Sequence, residues 1–141
     1  MPAALHNGPW RRPSGRSEPS GWVLASMSIA PADLGICAVT VEEIERGIAL
    51  MASGRRRRDL ERRWRYIVSS YSDKVLAYGA PEATRTAAVL VSRRKVGRPM
   101  HLADAMVAGI CLAGNHTLAT RNVNDFDGIP GLNVVNPFEV A

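Results

Sequence analysis

Three acidic elements hold the residues of this chain best suited to chemistry. Glu43 follows the apolar run GICAVT, Asp104 opens the apolar stretch AMVAGICLAG, and the polar segment RNVNDFDG supplies Asn122, Asn124, Asp125 and Asp127. Oxygen donors of this kind, with no cysteine beside them, suit a hard cation such as Mg2+ or Mn2+. His6, His101 and His116 have no zinc spacing. Carboxylates holding a cation beside an arginine-rich surface fit phosphodiester hydrolysis, in which the metal lowers the pKa of water and a second ion can steady the leaving oxygen.

Each residue also has a plainer local reading. Thr40 and Glu43 fit a capping box, while Glu42, about 100° further round the helix, is expected in solvent. Asp104 could complement a helix dipole or pair with Arg98 or Arg121. The Asn and Asp residues of 122–127 are turn formers, and His101 is either a phosphate contact or a surface histidine. Cys37 and Cys111, each inside an apolar run, read as small buried hydrophobes. There is no glycine-rich phosphate loop, no G-x-S-x-G elbow and no Cys-x-x-Cys.

To bring these acids together, the chain needs strands whose carboxyl ends share one edge, where α/β sheets place their ligands. The pattern predicts a strand at 35–40 (GICAVT), a helix at 40–54 and a basic amphipathic helix from Arg55 with Leu60, Trp64, Ile67, Val68 and Tyr71 on one face. A strand at 74–78 follows, then helices over 80–97 and 101–115, a strand HTLAT, a polar loop and a last strand LNVVNPF. Upstream, WVLASMSI reads as the end of a helix and PADL as a turn. The fold class is α/β, with a parallel sheet between helical layers.

The 141 residues suffice for one domain, expected over 22–141. Residues 1–21, rich in Pro, Gly, Ser and Arg, show no apolar period and are expected to be disordered, or mis-framed in a GC-rich gene. Eighteen Lys and Arg against 13 Asp and Glu leave a net charge of +5, almost all of it arginine, which favours a polyanionic partner. No apolar run approaches the ~20 residues of a membrane span and the opening lacks a signal-peptide core, so a soluble cytoplasmic protein is expected.

The order of pieces resembles the PIN-domain ribonucleases of the VapC and FitB type, the toxin halves of toxin–antitoxin pairs. The resemblance rests on ICAVTVEEIERGIALM, the basic helix after it, GRPMHLADAMVAGICLAGNHTLATRNVNDFDGI and the closing NVVNPFE, from about Trp22 to Ala141. Ala103-Asp104, the Ala-Thr-Arg-Asn of 119–122 and Asp125-Phe126 are its most specific part. It implies that Glu43 and Asp104 are metal-binding acids. Asn122 stands where some members carry aspartate, and Asp125 is the nearest carboxylate that could serve instead.

By the same resemblance, Glu43, Asp104 and Asp125 would hold Mg2+ for endonucleolytic cleavage of RNA. Thr120, Arg121 and Asn122 would face the substrate, the chain would form a homodimer or larger assembly, and a VapB-like antitoxin would block the site. The family opens on an apolar strand ending in Asp-Thr-Asn, whereas here the only acids before Glu42 are Glu18 and Asp33. The first central strand is therefore expected to be missing or degenerate, one metal ligand absent and activity impaired. The alternatives are a catalytically inactive PIN-like protein that binds an antitoxin or nucleic acid, and a basic nucleic-acid binder working through the Arg55–Arg65 helix.

Overall fold

The computed structural model describes residues 3–5 and 34–137. The predicted helix end WVLASMSI, the PADL turn but for Leu34, which opens a strand, and, apart from 3–5, the segment 1–21 lie outside the described residues. Five parallel strands form one sheet: β1 (Ala3–Leu5), β2 (Leu34–Cys37), β3 (Val75–Leu76), β4 (Thr117–Ala119) and β5 (Val134–Val135), in the order β3-β2-β1-β4-β5. The central place is thus filled by a strand of three residues: of the two expectations, a missing or a degenerate first strand, the structure overturns the missing one. Ala3 pairs with Leu34 on one side and Thr117 on the other, and Leu5 with Ile36 and Ala119. A three-residue apolar run suffices to satisfy two backbone ladders, and averaging over a Pro- and Arg-rich stretch of 21 residues conceals a run that short.

The described residues also form four α-helices: α1 (Ala38–Ala49), α2 (Arg55–Tyr71), α3 (Ala80–Lys95) and α4 (Leu102–Gly114). The alternation of β2 separates two layers. Leu34 and Ile36 pack with Tyr71 and Ile67 of α2, whereas Cys37 joins the larger cluster built from Val89, Val107, Ala108, Ile110, Cys111, Leu118 and Phe126. Helix α2 therefore covers one face, and α3 with α4 the other. Helix α4 is apolar nearly all round because it is enclosed on almost every side.

Two glycines shape that second layer. At Gly109 the backbone of α4 comes so close to α3 that an added Cβ would lie 2.7 Å from the Glu82 carbonyl oxygen and collide with the Thr86 hydroxyl. Gly97, at φ +72°, ends α3: its N–H donates to the Arg94 carbonyl and the Arg98 N–H to that of Arg93. This is the left-handed stop that glycine adopts without Cβ strain. The chain then turns through Pro99 into α4.

Candidate active site

Helix α1 leaves the sheet abruptly. Cys37 both ends β2 and stands as the extended residue before the helix, with no side chain capping it. Thr40 consequently lies inside the first turn, buried, and the expected Thr40–Glu43 capping box does not form. The predicted strand runs three residues too far because AVT is as apolar and β-branched as the strand before it. With the cap gone, the burial of Glu43 needs another explanation: the residue is 7% exposed and its Oε1 shows essentially no surface. Glu42 points into solvent as expected, where it accepts from Arg46 Nε at 2.6 Å. That hydrogen bond holds its carboxyl below the usual carboxylate range.

Asp104 is the third residue of α4, 6% exposed, with His101 as the extended and exposed residue before the helix. Since α4 leads directly into β4, its N-terminus lies toward the carboxyl ends of the strands, where α1 also begins. The two helices pack against each other. At their contact the Cys37 thiol is held well above the usual thiol range, first by hydrogen bonding with Cys111, then by burial, then by the negative fields of Cys111 and Glu43. Glu43 stands six residues along α1 from Cys37 and Asp104 seven before Cys111, so each acid is about 9 to 10.5 Å of helix from this thiol pair.

The loop after β4 is organised differently. Thr120 is buried, its N–H donates to the Val135 carbonyl at 3.0 Å, and its Oγ1 accepts from the Asn122 N–H at 3.1 Å. Arg121 and Asn122 are exposed. A short 3-10 turn over Val123–Phe126 then drops Phe126 into the core at 1% exposure. Asp125 and Asp127 leave their side chains in solvent and turn their carbonyls inward.

Those carbonyls meet Arg93, a residue that the sequence reading missed. Its guanidinium is buried at the end of α3 and donates through Nη2 to Asp125 O at 3.0 Å, through Nη1 to Asp127 O at 2.6 Å and through Nε to Arg98 O at 3.1 Å. Arg98 in turn donates to the Asn124 carbonyl at 3.3 Å. An arginine in the last turn of a helix ordinarily complements the dipole from the surface, and nothing in the local pattern marks this one as buried.

Among the described residues no three His, Cys, Asp or Glu side chains stand close enough together to hold one ion. Glu43, Asp104 and Asp125 are therefore not gathered into one group of three, and Asp125 is the exposed member. Its backbone is fixed from within by Arg93, which leaves the carboxylate pointing outward. What the fold offers a cation is two buried carboxylates on packed helices, a donor set that is chemically right for Mg2+ and one acid short of the set expected.

The plasmid stability protein StbB of Pseudomonas syringae pv. tomato is 34% identical over 126 residues, which cover 88% of this chain and 90% of that protein. The VapC ribonuclease Y4jK of Sinorhizobium fredii is 30% identical over 129 residues, 89% of this chain and 91% of the relative. Among solved structures, a chain of FitAB bound to an IR36 DNA fragment superposes with a TM-score of 0.81 at 26% identity, covering 99% of this chain and 97% of that one. No family model matches the chain.

Proposed function

The chain belongs to the VapC/FitB family of PIN-domain toxins, and from that premise we propose that it is the toxin of a type II toxin–antitoxin pair and cleaves RNA endonucleolytically with Mg2+. The observation that carries this reading is the burial of Glu43 and Asp104 on adjoining helices, a costly placement unless a cation or hydrogen-bond donors compensate it. Mg2+ at these two acids would supply Lewis acidity, lowering the pKa of water and neutralising charge on a phosphate. Thr120 fixes the backbone from which Arg121 and Asn122 project, and those two side chains would meet the RNA backbone. The protein would act in the cytoplasm as a homodimer held in check by a VapB-like antitoxin. No described helix is long and apolar enough to cross a membrane.

The second reading, a PIN-like protein that binds an antitoxin without cleaving RNA, is favoured by a specific observation. Central strand β1 is followed by His6, Asn7 and Gly8 in place of an acid, and no third carboxylate joins Glu43 and Asp104 among the described residues. Incubating the purified chain with a panel of RNAs, with and without Mg2+, separates the two. Cleavage that needs Mg2+ and falls at least ~100-fold in Asp104→Asn, about 2.7 kcal/mol of barrier, supports the ribonuclease. No cleavage at any Mg2+ concentration, with antitoxin binding retained, supports the second.

A further inference from the structure

Helix α2 carries a surface that the acid site does not use. Arg55, Arg58, Arg62 and Arg65 follow one another at intervals of three, four and three residues, which puts them on a single stripe about 15 Å long. All four are exposed; Arg55, Arg58 and Arg62 lie on the side of the helix away from buried Leu60, Trp64 and Tyr71, and Arg65 borders the groove that Trp64 lines with Glu45 and Glu61. Arg62 is paired with Asp59, but Arg55, Arg58 and Arg65 have no carboxylate within ion-pair reach among the described residues. Four residues beyond Arg62, Tyr66 is 71% exposed, and the hydroxyls of Ser69 and Ser70 both donate to its carbonyl.

A stripe of guanidinium groups with an uncovered aromatic ring beside it has a definite ligand chemistry. The forks match phosphate oxygens, and the ring presents a flat face to an unpaired base. We infer that the outer face of α2 is a binding track for single-stranded RNA, with Arg55, Arg58, Arg62 and Arg65 on successive phosphates and Tyr66 stacked on a base. An acidic protein segment would use the arginines and leave the ring idle. Trp64, whose Nε1 donates to Glu45 Oε1 at 3.2 Å, ties α2 to the helix that carries Glu43, so RNA held here lies one helix away from that acid. The identity of the polyanion rests on the ribonuclease reading, whereas the surface itself does not.

The test is fluorescence anisotropy of a labelled uridine-rich 20-nucleotide RNA with the full chain in EDTA, so that binding is read without cleavage. The variants are Arg55→Glu/Arg58→Glu/Arg62→Glu/Arg65→Glu, the matching glutamine set in case charge reversal unfolds the helix, and Tyr66→Ala. The expected results are a loss of at least tenfold in affinity for the arginine sets, with a salt slope shallower by about 3, or ~0.7 for each of the four lost phosphate contacts. Tyr66→Ala should weaken RNA about fivefold and leave polyglutamate binding unchanged.

Arginine variants that bind RNA as tightly as the parent, with an unchanged slope, would overturn the track. So would a Tyr66→Ala variant without effect on RNA, because the surface would then suit an acidic protein instead. RNA binding that follows these variants in a chain that never cleaves leaves the track standing and removes the ribonuclease. Cleavage that persists with unaltered affinity in the arginine sets does the reverse.

Discussion

At the carboxyl edge of the sheet the chain places its acids in two contrasting ways. On α1 and α4, two helices in contact with each other, Glu43 and Asp104 are buried as side chains. On the loop after β4, Asp125 and Asp127 are buried as backbone: their carbonyls go to Arg93 and their carboxylates to water. The difference separates two roles that the sequence cannot tell apart, since all four are acids following a strand or opening a helix. A carboxylate taken out of water needs compensation from hydrogen-bond donors or positive charge, whereas a carboxylate left in water marks only where the chain turns.

The contrast is broken most forcefully at Phe126, which pins the loop to the core. Phe126→Ala should destabilise the protein by about 3 to 5 kcal/mol in urea denaturation, as expected for a fully buried ring. Asp125→Ala, one residue away and exposed, should stay within about 0.5 kcal/mol. Equal losses from the two would mean that the loop is held by its carboxylates after all.

Arg93 comes next. Arg93→Met keeps the apolar length of the side chain and removes the guanidinium, stranding the inward carbonyls of Asp125, Asp127 and Arg98. A loss of about 2 to 3 kcal/mol is expected, with faster amide hydrogen exchange over 123–127 and little change in α1. Exchange rising equally in both regions would show that the loop and the helix pair open as one unit.

How much of this was legible beforehand follows from which signals are local. The four helices were readable from the spacing of apolar residues, and Gly97 and Asn115 marked the ends of α3 and α4. Glu43 and Asp104 stood out because each adjoins an apolar run. The start of α1 was misjudged because Ala38, Val39 and Thr40 suit a strand and a helix about equally until the packing of Cys37 on Cys111 decides. The central strand was overlooked because Ala3–Leu5 is short, and its identity comes from two neighbours distant in the chain. Arg93 was invisible for the same reason: two of its three partners, Asp125 and Asp127, lie more than thirty residues away, and no spacing rule reaches that far.

The subtlest difference between the two regions concerns pH. The Cys37 thiol, at the root of the helix pair, is raised well above its ordinary value by Cys111, burial and Glu43, whereas in the unfolded chain it titrates near about 8.5. Below that pH the thiol is protonated in both states and its contribution to stability is complete. As pH rises beyond it, the unfolded chain releases a proton that the folded protein keeps, so stability falls by at most about 1.4 kcal/mol per pH unit. Urea midpoints measured between pH 7 and 10 should decline from about 8.5 upward, and Cys37→Ser should flatten that decline while lowering stability throughout. An unchanged slope in the serine variant would mean that the decline arises elsewhere, and that the contact of Cys37 with Cys111 does not hold the thiol's proton.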